Sequence, residues 1–212
     1  MALLEPLILF GVLFLPGIGF VSPGPLVFSV NRELSRILVH NIPSLALIWY
    51  ILGIHGGRGS PLPWPKPGRK DLKPALIACS GLLIIGFCAS LVPFTDLFSP
   101  LSIEPPRNFL QWVVMVPSVL TTGYVEESYF RLYLLTRLEE AGFGPRRGVF
   151  FSVLLFSLCH IYEGLPGVLN AVLAGTFLSG LFLKYRSIHG LAWAHGAYNA
   201  AVYLILARSL PS

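Results

Sequence analysis

Two neighbouring carboxylates and an arginine, Glu126, Glu127 and Arg131, lie within Gly123-Tyr124-Val125-Glu126-Glu127-Ser128-Tyr129-Phe130-Arg131, a run that is otherwise rich in apolar and aromatic residues. Further along, Phe156 and His160 stand four residues apart in one apolar stretch, and His195 and Asn199 do so in another. A carboxylate, two imidazoles and a carboxamide are a set that can activate water. The carboxylate takes the proton as general base, one imidazole orients the water, and imidazole or amide N–H groups stabilise the oxyanion formed when a carbonyl is attacked. That chemistry is amide hydrolysis. The same imidazole and carboxylate groups could instead ligate a divalent metal such as zinc, which would then activate the water.

Helical geometry separates the charged residues. At about 100° per residue, Glu127 and Arg131 share a face with the acid N-terminal, the favourable order for an ion pair. Glu126 points about 140° away from Arg131 and is the carboxylate left free. A charge at the centre of a bilayer is disfavoured by about 2.5 to 3.5 kcal/mol on insertion scales, so three such groups at that depth require compensation. Pairing of Glu127 with Arg131 supplies it, and Glu126 becomes the general-base candidate. Taken singly, His160 and His195 read as satisfied core histidines, and Glu126 as a protonated structural acid or a second partner of Arg131. Together they read as a site, with Phe156 packed against it.

In this order and at these spacings, Glu126-Glu127-x-x-x-Arg131, Phe156-x-x-x-His160 and His195-x-x-x-Asn199 resemble the three motifs of the CPBP family (CAAX protease and bacteriocin-processing, or Abi) of intramembrane endopeptidases, to which Rce1-type prenyl-protein proteases belong. The resemblance covers about residues 109–206; the earlier helices are not diagnostic. It implies that Glu126 activates water, that His160, His195 and Asn199 complete the catalytic site, and that Glu127 and Arg131 are its structural partners. It also implies a glutamate-dependent reaction with no cofactor expected, on a membrane-associated or lipidated protein or peptide. The chain is shorter than the eukaryotic prenyl-protein enzymes and has fewer predicted spans, so a peptide or membrane-anchored protein is the substrate expected of it, in the manner of bacterial members.

What must position these residues is a bundle of membrane helices. Of the 212 residues 54% are hydrophobic and only 12% charged, against a charged share of about 25% in soluble domains. With a mean hydropathy of +0.71, the composition predicts an all-α polytopic transmembrane bundle enclosing a polar intramembrane cavity, one integral-membrane unit without a second domain. Apolar runs fall at residues 3–21, 37–54, 74–92, 109–136, 149–161, 165–183 and 188–207. Residues 1–108 hold the N-terminal helices and 109–207 the catalytic core. The first run lacks the basic start of a secretory signal and reads as a retained helix. Residues 109–140 would reach about 45 to 50 Å as one straight helix, so a bend, tilt or protrusion is expected, with Pro117 and Gly123 as bend points. Gly196, Ala197, Ala200 and Ala201 are expected to let the last helix approach its neighbours closely.

Between the second and third runs, Gly56 to Lys73 reads as an irregular loop with four prolines and several basic residues. If it is cytoplasmic, Lys and Arg residues divide ten against four between the two sides, which predicts a cytoplasmic N-terminus. The net charge of +5 therefore reads as topology signal and contact with lipid headgroups, not as nucleic-acid binding. Cys79, Cys88 and Cys159 have no CxxC spacing and imply no disulfide framework. No HExxH zinc motif and no Gly-x-Ser-Gly nucleophile setting is present. His40, His55 and His189, near the ends of runs, read as interfacial, and Tyr198 as a packing residue or part of the substrate path. The readings that compete with a protease are a proton-linked relay or transporter built on Glu126 and the histidines, and an immunity-type scaffold that binds a partner.

Overall fold

The computed structural model describes residues 3–19, 27–55, 66–91 and 104–209, and among them there is no strand. The helices are α1 (Leu4–Gly19), α2 (Val30–Ser35), α3 (Ile42–His55), α4 (Leu72–Ser90), α5 (Phe109–Glu127), α6 (Leu134–Glu140), α7 (Pro145–Leu158), α8 (Gly164–Tyr185) and α9 (Ile188–Ser209). A π-helical turn, Arg36–Asn41, fuses α2 to α3, and another, Ser128–Tyr133, fuses α5 to α6. Each apolar run of the sequence thus has its rod. Val30–His55, Arg69–Ser90 and Ile161–Tyr185 are long and apolar enough to cross a membrane, and α1 carries the shorter apolar stretch Leu4–Pro16.

The distribution of side chains differs from that of a water-soluble protein in its apolar outer surface and in the charged groups it buries. Leu38, Val39, Tyr50, Leu76 and Phe87 are exposed, whereas Glu33, Asn41, Asp71, Glu127, Arg131, His189 and His195 are buried. An outer surface so rich in large apolar groups is stable against lipid, and the chain is an integral membrane protein.

Three expectations require correction. The second rod begins at Val30, not Ile37, so Arg32 and Arg36 belong to a helix and not to a connecting segment. The long rod stays α-helical through Pro117 and Gly123, and it departs from α geometry only at Ser128–Tyr133. Gly123 instead marks a close approach: a Cβ there would lie 2.9 Å from the carbonyl oxygen of Ala192, and one on Gly196 would lie 3.1 Å from Cα of Leu120. These two glycines let the backbones of α5 and α9 meet. Ala197 points outward and takes no part. Thirdly, the remaining histidines have partners on other helices, and His189 is buried rather than interfacial. His40 meets the Leu13 carbonyl at 2.7 Å, His55 the Glu5 carboxylate at 2.9 Å, and Tyr124 shares a 3.0 Å hydrogen bond with His189. Such partners come from residues distant in sequence, which helical spacing does not reveal.

Helix ends follow local chemistry. The Asn108 side chain accepts from the Gln111 N–H at the start of α5. At the end of α6, Phe143 N–H reaches the Leu138 carbonyl at 2.9 Å, with Gly142 at φ +85°. That is the left-handed stop that glycine permits. Of the expected proline-rich loop, residues 56–65 lie outside the described residues, as do residues 20, 21 and 92 at the ends of two apolar runs; Arg69–Asp71 form a 3₁₀ turn leading into α4. Ser187 donates to Asp71 at 2.6 Å and Arg186 pairs with Glu139 at 3.7 Å, which gathers the starts of α4 and α9 and the end of α6 at one end of the bundle.

The core is centred on the second π-turn. Tyr129, Phe130, Tyr133 and Leu134 are buried with Leu9, Phe10 and Leu13 of α1, Ile48 and Leu52 of α3, and Phe156 of α7. Tyr129 also donates to the Pro6 carbonyl at 2.6 Å. A helix buried on all sides is one that neighbours surround, and this is the segment that presents the paired carboxylates.

Candidate active site

Glu126 and Glu127 are the last residues of α5 before the π-turn, and adjacency on a helix sends their side chains in different directions. Glu127 points into the core and is 0% exposed, as is Arg131, whose Nη1 lies 3.3 Å from Glu127 Oε1. The same oxygen accepts from Nδ1 of His195 at 2.8 Å. One buried carboxylate therefore holds both a guanidinium and an imidazole. Arg131 forms no well-aligned hydrogen bond with its three nitrogens; the ion pair and a ring face carry its charge, with the Phe156 centroid 4.4 Å from the guanidinium carbon.

Glu126 turns the other way. Its side chain is 18% exposed, Oε2 has no hydrogen-bond partner, and that oxygen lies 3.6 Å from His195 Nε2. It lines a cavity of about 330 Å³ together with Phe156, His160, His195 and Asn199. This volume is at the small end of the range of about 300 to 1,000 Å³ for ligand sites. All four groups with candidate chemistry, drawn from α5, the end of α7 and α9, thus border one space.

The tautomers follow from the partners. His160 Nδ1 lies 2.8 Å from the Phe156 carbonyl, which only accepts, so that nitrogen carries the proton and Nε2 keeps its lone pair. The ring also packs on Phe156, with centroids 4.6 Å apart. His195 Nδ1 donates to Glu127, and its Nε2 faces Glu126. A carboxylate thus stands at each nitrogen of this imidazole. The Phe156 ring packs against the Arg131 guanidinium and against the rings of His160 and His195, and Gly175 of α8 makes room for it: a Cβ there would lie 3.0 Å from the Phe156 ring.

Sequence reasoning did not anticipate the bond from His195 to Glu127, nor several cavity residues. Asn170 of α8 lines the space, and its Oδ1 is buried without a partner. Its signal was a lone carboxamide inside an apolar run, costly for the same reason as Glu126. Tyr162 and Glu163 come from the α7–α8 turn, Tyr198 and Tyr203 from α9, and Arg32 and Arg36 from the second rod and its π-turn. For a metal, the donors would be the two Nε2 atoms and Glu126. Among the described residues no three His, Cys, Asp or Glu side chains stand close enough together to hold one.

Residues 108–201 match the family model of the Rce1-like type II CAAX prenyl endopeptidases. No curated protein and no solved structure matches the chain. The matched stretch runs from the cap of α5 into α9 and contains all three motifs, so the part of the chain that carries the cavity is the part that is similar to that family.

Proposed function

We propose that this protein is an intramembrane endopeptidase that hydrolyses a peptide bond of a membrane-associated or lipidated protein or peptide with water activated by Glu126. The observation that carries the reading is the opening of Glu126, His160, His195 and Asn199 onto one cavity inside a lipid-facing bundle. The site fits as follows. Glu126, with a free carboxylate oxygen, takes a proton from a water that donates its other hydrogen to the Nε2 lone pair of His160. The resulting hydroxide attacks the substrate carbonyl. The oxyanion accepts from the Asn199 amide and from His195 Nε2–H, whose ring Glu127 holds in place through Nδ1. Collapse expels the amine, which takes the proton back from Glu126, so that the carboxylate is restored and one water has been consumed.

Glu127, Arg131 and Phe156 support this arrangement without touching substrate. The steps as written use no metal. The family match favours a prenylated protein end as substrate over the general peptide expected from chain length. The N-terminus is cytoplasmic in this reading, by the distribution of basic residues.

Purified protein in neutral detergent should cleave a farnesylated peptide ending in Cys-aliphatic-aliphatic-X, or a member of a membrane-anchored substrate library. Glu126→Gln should abolish cleavage while the protein elutes and melts as a folded species. Full activity in that variant would sink the mechanism.

A further inference from the structure

Thr121 and Thr122 stand just before the paired carboxylates on α5, and Asn41, the last residue of the first π-turn, bonds to both. Its Nδ2 donates to Thr121 Oγ1 at 2.9 Å and to Thr122 Oγ1 at 3.1 Å, and the side chain is buried at 2% exposure. The direction of each bond is fixed by its neighbours. Thr121 spends its one proton on carbonyls of its own helix, Pro117 at 2.8 Å and Ser118 at 3.1 Å, so its oxygen accepts and the amide group of Asn41 must face it. Asn41 Oδ1 is thereby turned to His40 Nδ1, 3.0 Å away. The second N–H of Asn41 goes to Thr122, whose oxygen accepts and whose proton points elsewhere. Among the described residues that hydroxyl donates to nothing, and Thr122 borders the same cavity as Glu126.

The course of the cavity indicates what the free O–H meets. On α5 it is bordered by Val119, Thr122 and Glu126, and on α9 by His195, Asn199 and Tyr203, so it follows both helices lengthwise for about 10 to 12 Å. An extended peptide fits such a groove. Thr122 and Glu126 are four residues apart and share a face of α5, with about 6 Å between them along the axis. In an extended chain successive carbonyls point to opposite sides, and those two residues apart point the same way at a spacing of about 6.6 Å. The two spacings match.

Resting on the proposed protease reading, we propose that Thr122 is a substrate-binding residue whose O–H, oriented by Asn41, donates to the backbone carbonyl two residues from the one that is attacked. The contact holds the bound chain extended and in register with Glu126. Every peptide has that carbonyl, so the bond positions the substrate without selecting its side chains.

The test uses the full protein in neutral detergent and a farnesylated peptide ending in Cys-aliphatic-aliphatic-X, with mass spectrometry of the products to locate the scissile bond. Variants of the peptide carry a trans alkene in place of one backbone amide, which removes one carbonyl acceptor and the N–H beside it. The missing carbonyl is placed one or two residues from the scissile one, on either side. Two residues away on one side, the loss in kcat/KM should be about three- to tenfold larger for wild type than for Thr122→Val, which keeps the shape and removes the hydroxyl. Thr122→Ser should behave as wild type. In Asn41→Asp the carboxylate accepts where the amide donated, so the Thr122 proton turns towards it and the loss should fall to that of Thr122→Val; an unchanged loss would remove Asn41 as the orienting residue. An alkene one residue away should cost wild type and Thr122→Val alike, since that carbonyl faces the other side; a difference there would overturn the register. Equal losses in the two proteins at both two-residue positions, with cleavage still abolished in Glu126→Gln, would overturn the contact and leave the protease reading standing. If wild type cleaves no peptide, the same scan is read as Kd. One position whose penalty disappears in Thr122→Val then keeps the contact while the protease reading fails, and no such position removes both.

Discussion

Glu127 has two partners and Arg131 one, and this asymmetry predicts an order of stability. Replacing Glu127 by Gln keeps the volume and a hydrogen bond to His195, but removes the counter-charge of a guanidinium that is 0% exposed and has no aligned hydrogen bond. Leaving one member of a buried pair alone costs about 3 to 5 kcal/mol. For a chain of this length about 2 to 4 °C accompanies each kcal/mol, so Glu127→Gln should melt about 6 to 20 °C below wild type. Arg131→Met keeps the packing on Phe156 and leaves Glu127 still bonded to His195, so the loss should be nearer the desolvated cation–π contact, about 2 kcal/mol. The double variant, with neither charge, should recover part of what Glu127→Gln loses. The assay is thermal unfolding in detergent, followed by the tryptophan fluorescence of the four indoles, beside peptide cleavage. If Arg131→Met proves the less stable of the two, or both melt with wild type, Glu127 is not the shared anchor of Arg131 and His195.

Two further outcomes follow. Activity should survive incubation with a strong chelator, and elemental analysis should find no stoichiometric zinc; chelator-sensitive cleavage restored by zinc would replace the Glu126 base by a metal-bound water. Gly123→Val should destabilise the protein and lower kcat, because a Cβ 2.9 Å from the Ala192 carbonyl must push α9 and its His195 away from α5; the measurement is melting temperature with cleavage rate, and wild-type values for both would show that the close approach is dispensable.

Much of the helical framework could be read from hydropathy, because each rod has an apolar run long enough to show. The resemblance to a protease family was legible from six residues whose polarity is out of place in those runs, and the family match over residues 108–201 agrees with it. What stayed hidden was set by contacts between rods. Helical spacing separates Glu126 from Glu127 but contains no information on His195, which reaches Glu127 from 68 residues away. The second rod was started too late because Arg32, Glu33 and Arg36 are polar, and charge in a sequence reads as the end of a span. Here one buried acid compensates them inside the fold. Gly123 was assigned to bending because glycine weakens a helix; its missing side chain instead serves the neighbour, and only the position of α9 shows that.

The π-turn at Ser128–Tyr133 fixes the rotational phase between the two halves of a single long helix. A π-turn takes up one residue more than the α turn it replaces and a helix advances about 100° per residue, so reverting to α bonding with every residue kept would rotate everything from Leu134 to Glu140 by about that angle. Leu134, Leu135 and Leu138, now buried, would be swung off their partners. The wide turn therefore sets which face of the distal half meets the core, and the residue it takes up can be removed without disturbing that face only together with a return to α bonding.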